Sequence, residues 1–306
     1  MGDDDLLRQT RVGDEDLGRS GGSVHGLDDF DARPGSITSL LRTFVGLHVR
    51  KLGGWIAVAD LVGLLQDAGL TTTGVRSAVS RAKAKGLLTA EARGGTSGYT
   101  LTDRAVGMLE RGDATIFSRR RHAVEDGWCL LSYSVPEGMR PVRYRLRRLL
   151  AQLGCGTVAD GLCIAPHRLA DALESHLEDA GLREWVSVFD SAELRSGERL
   201  ASACALWWDL EATAALHRDF LERFSGAGAA GGMEARSGRD AFVSQLRVVD
   251  AWRPIPYLDP GLPLEALPSD WPGDAAADLF AEIIARVSQP AAEYVACAVT
   301  VPISGE

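Results

Sequence analysis

The stretch from Leu70 to Thr102, LTTTGVRSAVSRAKAKGLLTAEARGGTSGYTLT, decides the fold, because it sets a bounded amphipathic helix directly before a hairpin. Between Thr73 and Lys85 the apolar residues Val75, Ala78, Val79 and Ala82 fall at i, i+3, i+4 and i+7, so one helical face packs inward. The opposite face carries Thr73, Ser77, Ser80 and Ala84 along its centre, Arg76 and Arg81 on its shoulders, and Lys83 and Lys85 on its flanks. Small residues there let a partner surface approach closely, and the cations suit phosphates or guanine edges. Thr71 or Thr72 caps the start, and Gly86 is the natural stop.

After the helix, Leu88, Ala90 and Ala92 alternate with Thr89, Glu91 and Arg93, GGTSG turns the chain, and Tyr99 and Leu101 alternate back, which is a β-hairpin. A capped helix with a cationic outer face, followed by a hairpin with Arg93 beside its glycine-rich tip, is the order found in winged helix-turn-helix modules. The bland alternative is a solvated surface helix beside an ordinary hairpin, since charge runs usually just face water.

The surrounding chain shifts that balance. Its net charge of −9 is unevenly distributed: residues 1–34 hold four Arg against nine Asp or Glu, residues 35–125 hold thirteen Lys or Arg against seven acids, and residues 126–306 hold sixteen against twenty-six. A basic segment between acidic ones suits a polyanion partner for that segment alone. With 306 residues, 45% of them hydrophobic, the chain is long enough for two or three domains with sizeable cores. No apolar run approaches the roughly 18 residues that span a bilayer, and the opening MGDDDLLRQTRVGDEDL lacks the features of a signal peptide, so a cytoplasmic protein without a membrane partner is expected. Cys129, Cys155, Cys163, Cys204 and Cys297 are scattered and include no C-x-x-C, which makes them expected buried thiols.

Residues 1–34 lack periodicity and are expected to form a disordered acidic tail. Residues 35–117 form the expected winged helix. Its first helix runs from a Ser36 cap through Ile37, Leu40, Leu41, Phe44, Val45 and His48; Trp55 and Ile56 make a short strand; Val58, Leu61, Val62 and Leu65 mark a second helix; and Thr102 caps a helix after the hairpin. The SRRRH run within residues 118–125 is a basic linker whose arginines either touch phosphates or stay solvated. In residues 126–192 the order is strand (Trp128–Val135), helix (Arg140–Leu153), two strands around a turn in GTVADGLCIAP, helix (Leu169–Ala180) and strand (Trp185–Phe189), the βαββαβ ferredoxin-like arrangement. Residues 193–306 read as helical, with helices over Ala203–Phe224, Arg239–Trp252 and Ala275–Val287, a glycine-rich break at SGAGAAGG and an extended proline-rich crossing RPIPYLDPGLPLEALPSDWPG. The fold class is therefore α+β.

The stretches WCLLSYSVPE, LGCGTVADGLCIAPH, WWDLEA and LDPGLPLEALPSDWPG give the chain, from about Ser36 to about Pro290, a resemblance to the PaaX family of bacterial transcriptional repressors. The acidic extension and the GAGAAGG insertion depart from the family pattern. The resemblance implies a winged-helix domain, a central ferredoxin-like domain and a helical C-terminal domain that helps dimerisation. It also implies repression of a catabolic operon, relieved by an aryl-acyl-CoA such as phenylacetyl-CoA. The expected DNA-binding residues are Thr73, Arg76, Ser77, Ser80, Arg81, Lys83, Lys85 and Arg93, on a palindromic or near-palindromic double-stranded operator held by a homodimer. For the small-molecule effector, aromatic walls and arginines point to Trp208, Arg253 and Tyr257 beside the proline-rich crossing. His167 after Pro166 either bonds a ligand or caps its own segment.

The central segment is also similar to the small CRISPR-associated ferredoxin-like nucleases, which gives a metal-dependent nuclease as an alternative. Its first strand ends in Ser132, Tyr133 and Ser134 with no carboxylate before Glu137, so the oxygen ligands of Mg²⁺ are missing there. No H-E-x-x-H, G-x-S-x-G or P-loop occurs, so no catalytic residue, metal or bound cofactor is expected. A ligand-independent DNA-binding scaffold is the remaining alternative.

Overall fold

The computed structural model describes residues 32–118, 121–194, 199–225 and 237–300. The expected acidic tail up to residue 31, Arg119 and Arg120 of the basic run, and the glycine-rich break at 226–232 lie outside the described residues.

The first part is built from helices α1 (Ile37–Phe44), α2 (Val58–Asp67), α3 (Thr72–Ala84) and α4 (Asp103–Ile116), with strands β1 (Trp55–Ala57), β2 (Leu88–Arg93) and β3 (Thr96–Leu101) in the antiparallel order β1-β3-β2. Local signals set most of these ends. Ser36, Thr71 and Thr102 cap α1, α3 and α4, each accepting a backbone N–H three residues on. After Phe44 the chain continues as a π-helical turn, Val45–Val49, that keeps Val45, His48 and Val49 buried. Trp55 lies across β3, where Gly98 leaves room for its ring; a side chain at 98 would overlap the indole.

The second part has strands β4 (Trp128–Tyr133), β5 (Gly156–Ala159), β6 (Leu162–Pro166) and β7 (Val186–Ala192), with helices α5 (Arg140–Gln152) and α6 (Ala170–Asp179) after β4 and β6. The sheet order β5-β6-β4-β7, all antiparallel, is the ferredoxin-like topology that the sequence order implies. Strand alternation sorts the two faces. Cys129, Leu131, Cys163 and Ala165 join the main core with Leu146, Leu150 and Leu173 of the helices, whereas Trp128 and Ile164 join a smaller core with Cys204, Trp208 and Leu262. Both faces of this sheet are therefore covered, the second by the C-terminal part.

That part differs from the sequence expectation in three places. The helix expected over Ala203–Phe224 is two helices, α7 (Leu200–Trp207) and α8 (Leu210–Phe224), because Trp208 is extended (φ −118°, ψ 144°) and Asp209 caps the second, accepting from the Ala212 N–H at 2.9 Å. Trp208 is fixed by tertiary contacts: its Nε1 donates to the Gly154 carbonyl at 2.8 Å, and its ring lies so close that a Cβ at Gly156 would fall 2.6 Å from it. The proline-rich crossing is not uniformly extended. It contains a short helix, α10 (Ile255–Leu258), and a 3₁₀ turn at Leu264–Ala266. The last helix, α11 (Gly273–Ala298), runs through Pro290, since its inward stripe Ile283, Val287, Ala291 and Val295 continues past the proline and packs on α9 (Gly238–Trp252). Among the described residues no helix is long and apolar enough to cross a membrane. Cys129, Cys155, Cys163 and Cys204 are buried, and burial pushes all four thiols up, Cys129 and Cys204 to about 11; Cys297 departs from expectation and is exposed.

Candidate nucleic-acid interface and ligand cleft

Helix α3 buries Val75, Ala78, Val79 and Ala82 against α1 and α2 and leaves Thr73, Arg76, Ser77, Ser80, Arg81 and Lys83 exposed, with Lys85 half-buried at its C-cap. The segment Thr72–Lys85 contains four cations and no acid. Arg81 is held in place: its Nε and Nη2 donate to Thr38 Oγ1 of α1 at 3.2 and 2.8 Å, and its Nη1 donates to Ser77 Oγ at 2.8 Å. Lys83 Nζ lies 5.9 Å from the centre of the Tyr99 ring on β3. Arg76 has neither hydrogen bond nor ion pair among the described residues. The result is a ridge of small hydroxyls flanked by guanidinium groups that no carboxylate among the described residues neutralises, a surface suited to a polyanion.

The hairpin arginine, Arg93, ends β2 beside the glycine-rich tip. Arg93 folds back from the tip, its guanidinium 5.6 Å from the Trp55 ring centre and its Nε donating to Glu91 Oε1 at 2.7 Å, while Trp55 Nε1 donates to the Glu91 carbonyl at 3.2 Å. The Arg93 hydrogen bond holds the Glu91 carboxyl below its usual range. The guanidinium is thus already paired with a carboxylate and packed on an aromatic ring, and it is only partly exposed.

The four residues expected at the effector site are not brought together. Trp208 lines a pocket of about 660 Å³ with Trp207, Trp271 and Arg218. Arg253 is buried at the end of α9, donating to Ser39 Oγ of α1 at 3.0 Å. Beside it, the fully buried Asp250 accepts from Ser39 Oγ (2.5 Å), Thr43 Oγ1 (2.9 Å) and the Gly35 N–H (2.6 Å). That cluster is a clamp between α1 and α9. Tyr257 is buried with its carbonyl against Gly154, and His167 is partly exposed and paired through Nδ1 with Asp190. Arg143 donates to the Val135 carbonyl and Arg247 to the Ala68 carbonyl, while Arg140 and Arg147 lie on the outer face of α5.

A cleft of about 850 Å³ opens where the three parts meet, between the end of α4, the start of α6, the α9–α10 turn and α11. Phe117, Phe280 and Trp252 line it, with Trp252 and Phe280 stacked at 4.8 Å and 15° and Phe117 and Phe280 at 6.0 Å and 29°. Arg111, Arg121 and Arg168 stand around it. Sequence reasoning missed this cleft because its walls come from segments far apart in the chain. The one local signal was the run Trp252–Tyr257, of which Trp252, Ile255 and Pro256 line the cleft while Arg253 and Tyr257 turn away from it. Among the described residues no three His, Cys, Asp or Glu side chains are grouped as a metal site needs.

A cation-faced helical module, a ferredoxin-like sheet covered on both sides and a helical segment that closes a ligand-sized cleft define a three-part α+β protein. The chain belongs to the PaaX family. Its residues 36–105 match the family's PaaX-like protein model, 121–203 the PaaX protein central Cas2-like domain, and 208–297 the PaaX-like protein C-terminal domain. It is 27% identical over 270 residues to the Transcriptional repressor PaaX of Escherichia coli (strain K12), covering 87% of this chain and 84% of that protein. Among solved structures, the Uncharacterized protein Rv0674 from Mycobacterium tuberculosis shares the fold with a TM-score of 0.53 at 22% identity, over 85% of this chain and 99% of that one.

Proposed function

We propose that the protein is a DNA-binding transcriptional repressor whose α1–α3 and β2–β3 form a winged helix-turn-helix module, with α3 as the reading helix. The observation that carries this reading is the outer face of α3, where Arg76, Ser77, Ser80 and Arg81 stand exposed with no acidic neighbour on the helix. Small side chains admit the floor of the major groove, Arg76 and Arg81 reach guanine edges or phosphates, and Thr73, Lys83 and Lys85 add contacts at the sides. The likeness to a transcriptional repressor over most of the chain supports the same assignment. In this reading the module spans residues 35–117, a basic linker 118–125, the ferredoxin-like domain 126–192 and the sensing and dimerising part 193–306, and the protein works in the cytoplasm.

One helix and one wing read only a few base pairs, too few for a genome, so the repressor acts as a homodimer on a palindromic site with half-sites about one helical turn, or a multiple, apart. Its effector is an aryl-acyl-CoA of the phenylacetyl-CoA kind, which releases the protein by binding the off-operator arrangement more tightly. Selection of bound duplexes from a random library tests the DNA reading. Enrichment of a two-fold symmetric motif is the expected result, and no enrichment over input would overturn it.

A further inference from the structure

We infer that the cleft between α4, α6, α10 and α11 is the effector site, and that it takes a ligand with a flat apolar head and an anionic body. The inference rests on the repressor reading for its biological meaning, but the site stands on its own chemistry. The stack Trp252–Phe280–Phe117 runs from two buried rings to Phe117, which is 44% exposed and is the ring a ligand reaches at the mouth of the cleft. A planar group laid against Phe117 extends the stack and gains apolar burial with it. The volume of about 850 Å³ falls within the range of small-molecule sites, roughly 300–1,000 Å³, and leaves space beyond a single ring.

The polar groups of the cleft supply the other half of the recognition. Arg121 pairs with Asp274 of α11 and donates to the Leu262 carbonyl at 3.1 Å, and Arg168 donates to the Pro260 carbonyl. These contacts tie the linker and the central part to the C-terminal part across the cleft. An anionic ligand group competes with Asp274 for Arg121, so binding loosens a tie instead of adding to it. Deeper in, His217 is buried, its Nε2 engaged with Asp259 Oδ2 at 2.8 Å, and its Nδ1 has no partner among the described residues. With Nε2 donating to the Asp259 carboxylate, Nδ1 of the neutral ring is an acceptor, and a ligand hydroxyl or amide N–H can satisfy it.

The position of the cleft gives it leverage on the DNA module. Trp252 Nε1 donates to the Ile116 carbonyl at the end of α4 at 3.1 Å, and Asp250, two residues before Trp252, holds α1. A ligand seated against Phe117 and Trp252 therefore touches both the end of the module's last helix and α9, the helix that clamps its first.

The test uses the full chain and 1-anilinonaphthalene-8-sulfonate, a flat aromatic with one anionic group, followed by fluorescence. Saturable binding to the wild type is expected, with at least about tenfold weaker binding, a loss of about 1.4 kcal/mol, in Phe117→Ala and in Ala281→Trp, which fills the cleft from α11. Leu206→Ser, at an exposed leucine beside the Trp208 pocket, should bind as wild type. Circular dichroism melts check that each variant folds, and a variant that does not is replaced by Ala277→Phe, on the same wall. Unchanged binding in the folded cleft variants, or equal loss in Leu206→Ser, would overturn the site. Phenylacetyl-CoA is then added in both the dye assay and an operator mobility shift. Displacement of dye without release of DNA would leave the site standing and sink the effector reading; release of DNA from Ala281→Trp as readily as from wild type would do the reverse.

Discussion

The two faces of the N-terminal module are built on opposite principles. Its back, where α1 meets α9, is buried and densely bonded: Asp250 takes three donors from the α1 segment, Arg253 reaches Ser39, and His48 packs between Phe44 (5.5 Å) and Phe242 (5.6 Å). Its front, the outer side of α3, is exposed, and Arg76 is unpaired among the described residues. A surface left without internal partners contributes little to stability and is available for binding, whereas a buried polar cluster contributes to stability and to orientation. Substitutions at the back should therefore be read in melting curves and those at the front in DNA affinity. Arg81, bonded to Thr38 of α1, is a side chain on the front that also touches the scaffold behind it.

The largest effect is expected at the back. Asp250→Ala strands three donors in a buried site and should lower unfolding free energy by about 3–5 kcal/mol. Urea denaturation checks this, and a loss below about 1 kcal/mol would mean that the clamp is dispensable.

Acid should weaken the same seam. Burial, aided by Lys51, lowers the His48 pKa to about 4 from 6.5, so the folded seam holds the ring neutral while the unfolded chain takes up a proton. The unfolded state binds more protons between those values. Stability is thus full above pH 6.5 and falls as pH drops toward 4, by on the order of 3 kcal/mol. In His48→Phe that part of the pH dependence should vanish; a slope unchanged from wild type would place the acid sensitivity elsewhere.

At the front, Arg81→Ala should cost DNA affinity about 1–3 kcal/mol and lower the melting temperature slightly through the lost Thr38 contacts. Arg93→Ala should have the smallest effect. Its guanidinium already faces Glu91 and Trp55, so a roughly two- to threefold loss on all duplexes alike is expected in anisotropy titrations. A loss confined to one sequence would show that the hairpin reads bases.

The module was legible in the sequence because its boundaries are local. Ser36, Thr71 and Thr102 are caps, Gly86 follows α3, and the burial of Val75, Ala78, Val79 and Ala82 needs only the helical period. The ferredoxin-like order was equally legible, since each strand and helix is short and bounded by turns. The C-terminal part was less so. The break at Trp208 is imposed by Gly154 and Gly156 of another domain, although Asp209 ahead of Leu210–Glu211 was a cap signal in plain view. The last helix was expected over Ala275–Val287, but it continues through Pro290, because the buried stripe on either side of the proline outweighs one missing hydrogen bond. The cleft was not legible at all, because Phe117, Trp252 and Phe280 become neighbours only when the three parts dock. Arg93 was legible as a cation beside the hairpin tip, but nothing in the local spacing reveals Trp55 beneath it.

The most direct measurement of the central claim is the affinity of wild type and Arg76→Ala for a selected operator and for a scrambled duplex at one salt concentration. Arg76, exposed and without a partner among the described residues, should contribute nothing to folding, so the melting temperature should be unchanged. Affinity for the operator should fall by about 1–3 kcal/mol, roughly 5- to 150-fold, with a smaller fall on the scrambled duplex. Wild-type operator affinity in the folded Arg76→Ala protein would contradict the assignment of the α3 face as the surface that reads DNA.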